Sequence, residues 1–216
     1  HESEYNVEML KGLGLNPGPV NRPTLVLSSE ERSAAAQYWT NLPNRRVVVH
    51  PGGRSARRWK AEHFRDLAVE LARTGYGVVL TGSETERAEF ERDTLLQGSL
   101  PPGIHNLMGR LSVRELMAVI ADAQVVVSGA TGPAHLAAAL GTAVVSLFDP
   151  RRNNLPTRWR PLGTGLLLRP DVPTCEKCIG DVCPFWDCLD RVTVDHVTEA
   201  VGHVAKIPAA LRILHI

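Results

Sequence analysis

The 216-residue sequence has no apolar run close to the roughly 20 residues that a membrane-spanning helix needs, and it shows no secretory signal. It also has almost no net charge, because 24 basic and 23 acidic residues leave a formal charge of +1. This balance does not indicate a nucleic-acid partner, and we expect none. With 44% hydrophobic and 22% charged residues, the composition is that of a globular protein that can bury a core without disulfides.

Several common functional signatures are missing as well. The sequence contains neither the G-x-G-x-x-G fingerprint of dinucleotide oxidoreductases nor the G-x-x-x-x-G-K-[ST] phosphate loop. It also lacks the G-x-S-x-G elbow of α/β hydrolases and the H-E-x-x-H zinc motif. These enzyme classes are therefore not indicated.

Short apolar segments alternate with amphipathic ones along most of the chain. The predicted strands cover residues 24–29, 45–50, 77–82, 124–129, 142–148 and 165–170, and the predicted helices cover residues 5–14, 63–75, 84–96, 112–123, 132–141 and 193–206. Apolar strands separated by helices are typical of a parallel sheet that is covered on both faces. We therefore predict an α/β fold, with a Rossmann-like, doubly wound parallel sheet over about residues 43–206.

Unusual residues follow three of these strands, and the carboxyl ends of parallel strands meet at one edge of a sheet. In HPGGRSARRWK (50–60), Gly52 and Gly53 either let backbone amides approach a ligand or merely turn the chain. The arginines of this segment offer charge for a phosphate. In TGSETE (81–86), Glu86 either complements the dipole of a helix or contacts a ligand.

The third segment, SGATGPAH (128–135), joins a strand to an Ala-rich helix. Thr131 can cap that helix and Pro133 suits its first turn, while free N–H groups at the helix start favour an anion. His135 either bonds a phosphate or packs against its neighbours. Together, the three segments predict a site for a phosphate-bearing small molecule, with no evident nucleophile or base to attack it.

In order and spacing, these segments resemble the lipopolysaccharide heptosyltransferases of glycosyltransferase family 9. The resemblance covers about residues 43–205 and includes LFDP (147–150) and RWRPLG (158–163). It implies the C-terminal domain of a two-domain GT-B fold, the half that holds the nucleotide-sugar. We accordingly expect an interdomain linker and first helices over 1–42, a nucleotide-sugar-binding Rossmann-like domain over 43–206, and a C-terminal tail over 207–216.

The resemblance implies a glycosyltransferase that takes an ADP-sugar, ADP-heptose above all, and passes the sugar to lipopolysaccharide core or a related glycan. Family members hold the acceptor and their catalytic Asp base in an N-terminal domain that this sequence does not match. We therefore expect the isolated half to be inactive, and the start at His1 rather than Met indicates a fragment or a processed chain. No cofactor or metal is expected. The implied location is the cytoplasm, with peripheral attachment to the inner membrane as an option.

Donor-binding roles follow from the resemblance, residue by residue. Gly52 and Gly53 fall where the family contacts phosphate, and Arg57 replaces a family Lys beside the leaving diphosphate. Glu86 matches an acidic residue that holds the ribose, and Leu111 falls where backbone groups meet adenine. No catalytic residue is assigned within this half.

The phosphate-facing turn and helix start of the family correspond to Thr131, Gly132 and His135. The neighbouring Ala130 departs from the family, which commonly has Asp there, so an expected polar contact to the donor is missing. Together with the absent domain, Ala130 keeps two alternatives open. One is a non-catalytic nucleotide- or glycan-binding module, and the other is half of another GT-B enzyme, such as a nucleotide-sugar epimerase.

Four cysteines form the pattern C-x2-C-x4-C-x4-C near the end of the chain. They are Cys175, Cys178, Cys183 and Cys188. Reduced structural thiols, a structural metal or cluster site, and disulfides all fit this spacing, although disulfides are disfavoured in a cytosolic protein.

Overall fold

The computed structural model describes residues 1–53, 58–94, 100–206 and 212–216, which form an α/β fold around a parallel sheet. The strands are β1 (Arg46–His50), β2 (Gly77–Leu80), β3 (Ile104–Asn106), β4 (Val125–Gly129), β5 (Ala143–Leu147), β6 (Gly165–Arg169) and β7 (Arg212–His215). The α-helices are α1 (Glu2–Glu8), α2 (Ser29–Ala35), α3 (Ala61–Arg73), α4 (Glu84–Asp93), α5 (Val113–Ala121), α6 (Gly132–Leu140), α7 (Pro156–Trp159) and α8 (Val194–Val204).

The strands lie in the order β3-β2-β1-β4-β5-β6-β7, and every neighbouring pair runs parallel. The chain winds from β1 outward to β3, then returns to place β4 on the other side of β1. This reversal defines a doubly wound sheet. The predicted α/β class with a Rossmann-like sheet is therefore confirmed.

Successive valines of β1 face opposite sides of the sheet. Val47 and Val49 pack with residues of α3 and α8, whereas Val48 packs with residues of α5 and α6. All three side chains are fully buried. Because helices cover both faces, the inner strands are apolar at every position instead of alternating with polar residues.

The structure adds α2, β3 and α7 to the predicted elements, and two predicted segments differ from it. Residues 212–215, expected in a C-terminal tail, form β7, which pairs with β6 at the edge of the sheet. Its residues are exposed, so this strand lacks the apolar run that identified the inner ones. Residues 24–28, expected in a strand, form none. Leu27 is buried beside α5, Leu25 packs against the same cluster and its N–H donates to Ala139 O at 3.2 Å, and Val26 is exposed.

Helix ends account for the other differences. α1 starts at Glu2 and continues as a 3₁₀ turn to Leu13, and Gly14 closes it in the left-handed conformation with a φ of 75°. α4 ends at Asp93, and the last part of its predicted range falls among residues that are not described. Within the described ranges, no helix is long and apolar enough to cross a membrane.

Candidate functional site

A cleft of about 440 Å³ opens at the carboxyl edge of the sheet, beside the reversal between β1 and β4. Segments that follow β1, β2, β4 and β5 line it with His50, Gly53, Glu86, Ala130, Thr131, Gly132, Pro133, Arg151, Asn153 and Asn154. Ligands of doubly wound sheets bind at such a reversal, because the loops diverge there and leave a crevice. The fold therefore brings Gly53, Glu86, Thr131 and Gly132, which were singled out in the sequence, around one opening.

Glu86 joins two of the segments that line the cleft. Near the start of α4, Glu86 N–H donates to Ser83 Oγ at 3.2 Å, and Ser83 N–H donates to Glu86 Oε2 at 2.7 Å. The other carboxylate oxygen accepts the N–H of Gly53 at 2.9 Å. Partial burial opposes ionisation, but these hydrogen bonds and the nearby His50 outweigh it, so the pKa of Glu86 is lowered. A carboxylate therefore stands beside the cleft at neutral pH.

Gly52 and Gly53 are required by this contact. A Cβ on Gly52 would lie 2.2 Å from Glu86 Oε1, so a side chain there would displace the carboxylate. Gly53 has a φ of 144°, which favours glycine, and its Cβ would lie 2.7 Å from Thr131 Cγ2. The pair thus lets the loop after β1 close against Glu86 and Thr131, which is more than a simple turn of the chain.

The carbonyl of Gly129 organises the turn between β4 and α6. It accepts hydrogen bonds from Thr131 N–H at 2.8 Å and from Ser146 Oγ at 3.1 Å. Thr131 stands at the N-cap of α6, but its hydroxyl donates to Gly129 O at 3.4 Å and makes no capping bond. The predicted Thr131 cap is therefore wrong. Pro133 has no N–H, and the N–H of Ala134 donates to Thr131 O at 3.1 Å. Among the described residues, the donor that this leaves at the start of α6 is the N–H of Gly132, which lines the cleft and favours an anion.

His50 ends β1 and lines the cleft while only 7% of it is exposed. Its Nδ1 lies 3.1 Å from Thr81 Oγ1. Burial lowers the pKa of His50, and the attraction of Glu86 opposes this only in part. The ring is therefore neutral at neutral pH, and it offers hydrogen bonding rather than charge.

The wall of the cleft on the β5 side consists of residues that sequence reasoning did not assign to a site. Arg151 and Asn154 line it, and both donate hydrogen bonds to the buried carboxylate of Asp149. The available signal was a pair of arginines, Arg151 and Arg152, directly after a predicted strand. Such clusters usually lie in solvated loops, so the signal was weak.

Of the predicted residues that the structure describes, Gly52, Leu111 and His135 do not line this cleft. Leu111 is half-buried and packs against the core beneath α5 and α6. His135 lines a separate cavity of about 430 Å³, together with Glu2 and Trp159. His135 is exposed by surface area, and partial desolvation by its neighbours lowers its pKa. Arg57 lies outside the described residues, so its role stays a prediction.

A neighbouring cleft of about 400 Å³ shares Glu86 with the first one and runs between α3 and α4. Charged side chains of both signs line it: Arg58, Lys60, Glu62, Glu89 and Asp93. Arg58 is paired with Glu89 at 3.2 Å. Because its carboxylates outnumber its cations, this second cleft is a poorer phosphate site than the one at α6.

The four cysteines line one small cavity beside Arg151. Cys188 is buried, Cys178 is exposed, and all four are free thiols. Burial and the charge of Asp149 raise the pKa of Cys175. Among the residues that the structure describes, no three His, Cys, Asp or Glu side chains are arranged to hold a metal ion.

Known proteins share this sequence pattern. The family model described as glycosyltransferase family 9 (heptosyltransferase) matches residues 8–183. Lipopolysaccharide heptosyltransferase 2 of Salmonella typhimurium is 30% identical over 138 residues, which are 62% of this chain and 40% of that protein. The matched segment therefore covers less than half of this relative.

Two solved structures from E. coli share the fold. ADP-heptose lps heptosyltransferase II gives a TM-score of 0.67 at 23% identity, over 88% of this chain and 56% of its own. Heptosyltransferase WaaC with ADP gives a TM-score of 0.56 at 22% identity, over 90% of this chain and 52% of its own. At these identities the likeness establishes the fold, and it confirms the GT-B type of domain expected from the sequence.

Proposed function

The chain belongs to glycosyltransferase family 9, and from this premise we propose that it binds the nucleotide-sugar donor of a glycosyl transfer. The donor is an ADP-sugar, ADP-heptose in particular, and the acceptor is lipopolysaccharide core or a related glycan. The segment matched to the Salmonella relative covers less than half of that protein, and we propose that the transfer also requires an acceptor-binding domain.

One observation carries the proposal. The carboxylate of Glu86 and the N-terminus of α6 line the same cleft, and they follow strands that are separated by one other strand. Glu86 follows β2 and Gly132 begins the helix after β4, with β1 between them. Neighbouring strands lie ~4.8 Å apart, so the ends of β2 and β4 are expected ~10 Å apart. This distance suits the ribose and the diphosphate of one nucleotide. The carboxylate accepts ribose hydroxyls, and the N–H at the start of α6 donates to phosphate.

The other parts of the donor follow the same order across the sheet. β3 lies beyond β2, and Leu111 follows it, so adenine is expected on that side. β5 lies beyond β4, so the sugar is expected to extend toward Arg151. The proposed partner of the diphosphate from the loop after β1 is Arg57, whose charge is always present.

The chemistry proposed is a direct displacement at the anomeric carbon of the sugar. The acceptor hydroxyl attacks that carbon, the bond to the terminal phosphate oxygen breaks, and the hydroxyl proton passes to a base in the acceptor domain. The part played by this chain is to stabilise the charge that grows on the leaving diphosphate, through Arg57 and the N–H of Gly132 at the start of α6.

A second candidate function is favoured by Ala130. This residue lines the cleft where the family commonly places an Asp. Without that carboxylate, a module that binds a nucleotide or glycan and transfers nothing is the alternative. Both candidates predict a nucleotide site, and they differ in whether the chain supports transfer when it is combined with an acceptor domain.

Nucleotide selectivity tests the proposed function. In calorimetric titrations of the whole chain, ADP should bind about tenfold more tightly than UDP, because the wider adenine ring buries more apolar surface near Leu111. Pyrophosphate should bind more weakly than ADP, since it lacks the ribose that Glu86 accepts. Equal affinities for ADP, UDP and pyrophosphate would reduce the cleft to an unselective phosphate site and contradict the proposal.

A further inference from the structure

Arg151 and Asn154 form one wall of the cleft, and none of the proposed contacts to the nucleotide involves them. Both residues follow β5, and they line the cleft together with Thr131 and Gly132. In the strand order, β5 lies on the side of β4 that is away from β2 and Glu86. If a nucleoside diphosphate extends from Glu86 to the start of α6, the group attached to its terminal phosphate therefore points toward this wall.

The buried carboxylate of Asp149 holds both side chains in place. Arg151 Nε donates to Asp149 Oδ1 at 2.9 Å, and Arg151 Nη2 donates to Oδ2 at 2.7 Å. Asn154 Nδ2 donates to the same Oδ2 at 2.9 Å. The side chains of Asp149 and Arg151 are 1% and 14% exposed, so the ion pair is largely withdrawn from water. The bidentate contact fixes the plane of the guanidinium.

The backbone of this loop is fixed as well. Arg152 N–H donates to Cys175 O at 2.8 Å, and Cys175 N–H donates to Pro150 O at 3.2 Å. Arg169, at the end of β6, adds a bond from Nη2 to Pro150 O at 3.3 Å. The wall is therefore pre-organised, and a group held in its binding geometry loses little conformational entropy when a ligand arrives.

Stability alone does not explain this arrangement. The cost of removing a charged pair from water roughly cancels the attraction between its members, and an apolar replacement of similar volume often serves stability as well or better. A cation held at the wall of a cleft is, in contrast, well suited to a ligand that brings oxygen acceptors.

We propose that Arg151, flanked by Asn154, binds the sugar that the donor carries on its terminal phosphate and is a specificity-determining residue of the donor site. This inference rests on the proposed function. The carboxylate of Asp149 is engaged by both side chains, and Ala130 has no polar side chain, so the wall offers the cationic donors of Arg151 and the amide oxygen of Asn154 as an acceptor. It selects a sugar that turns hydroxyl oxygens or an acidic substituent toward β5.

Titrations of the whole chain with ADP and with ADP-heptose test this assignment. In Arg151→Met, the affinity for ADP-heptose should fall about tenfold, as for a lost charge-assisted hydrogen bond, while the affinity for ADP changes less than about threefold. Arg152→Met is the matched control. The exposed Arg152 pairs with Glu176 at the surface and does not line the cleft, so both affinities should stay unchanged.

Arg151→Met leaves the Asp149 carboxylate buried without its cation, so Asn154→Ala provides a variant that keeps the ion pair. Asn154→Ala should lower the affinity for ADP-heptose about threefold, and thermal unfolding shows whether each variant is folded. Equal losses for ADP and ADP-heptose, or no loss for ADP-heptose, overturn the assignment but leave the proposed function standing. A wild-type chain that binds neither compound overturns both.

Discussion

In the Glu86→Ala variant, the affinity for ADP should fall at least about tenfold, as for the loss of hydrogen bonds to a charged group. The carboxylate of Glu86 is fixed by the N–H groups of Ser83 and Gly53, at 2.7 and 2.9 Å. The variant therefore removes the proposed acceptor of the ribose hydroxyls. It also removes the bond that holds Gly53 N–H against the start of α4. Calorimetric titration with ADP measures the loss.

Glu115 provides the matched control, because it makes the same capping-box bond at the start of another helix, outside the cleft. Its carboxylate accepts Ser112 N–H at 2.8 Å at the start of α5, and it accepts the hydroxyl of Tyr38 at 2.7 Å. Hydrogen bonds from Ser112 and Tyr38 lower the pKa of Glu115 to about 2. Glu115→Ala should lower the melting temperature as Glu86→Ala does, yet leave ADP binding unchanged. If both variants bind ADP like the wild type, Glu86 is only a structural cap.

The Gly132→Ala variant should lose about fivefold or more in ADP affinity while its stability is unchanged or slightly increased. Gly132 is exposed at the first position of α6, and no heavy atom of the described structure lies within 4 Å of a Cβ built there. The free protein therefore has room for the methyl group. A diphosphate seated on the N–H of Gly132 would occupy that same space, so the methyl group excludes it.

Gly202 is the control for this substitution. It also lies in a helix, α8, and a Cβ there meets no described heavy atom within 4 Å, but α8 does not line the cleft. Gly202→Ala should leave ADP affinity at the wild-type value, with thermal unfolding recorded for both variants. Unchanged ADP binding by Gly132→Ala would mean that no phosphate sits at the start of α6.

The sheet was predictable because its inner strands carry their own signal. Val47, Val48 and Val49 are buried on both faces, and a run of such residues between helices leaves few other folds. β7 gave no such signal, since its exposed residues lie at the edge and join the sheet through backbone hydrogen bonds. Residues 24–28 gave a false strand signal, because an apolar segment that packs on helices has the same composition as a strand.

The site was predictable where function depends on the backbone and less so where it depends on side-chain partners. Gly53 and Gly132 stand out in a sequence because glycine, without a side chain, permits backbone conformations and close approaches that other residues do not. The sequence did not decide whether Glu86 caps a helix or contacts a ligand. In the structure it caps α4 with Oε2, and its Oε1 accepts the N–H of Gly53. Arg151 was missed because its importance comes from a buried partner, Asp149, and the sequence of two adjacent arginines does not reveal that burial.

The central claim is that the cleft between β1 and β4 holds the diphosphate of a nucleotide-sugar, and a crystal structure of the chain with ADP tests it most directly. We predict the phosphates at the N–H of Gly132, which begins α6, on the side of Gly53, with a ribose hydroxyl within hydrogen-bonding distance of Glu86. An ADP molecule seated instead in the neighbouring cleft between α3 and α4, or beside His135 in the cavity next to α1, would contradict the account.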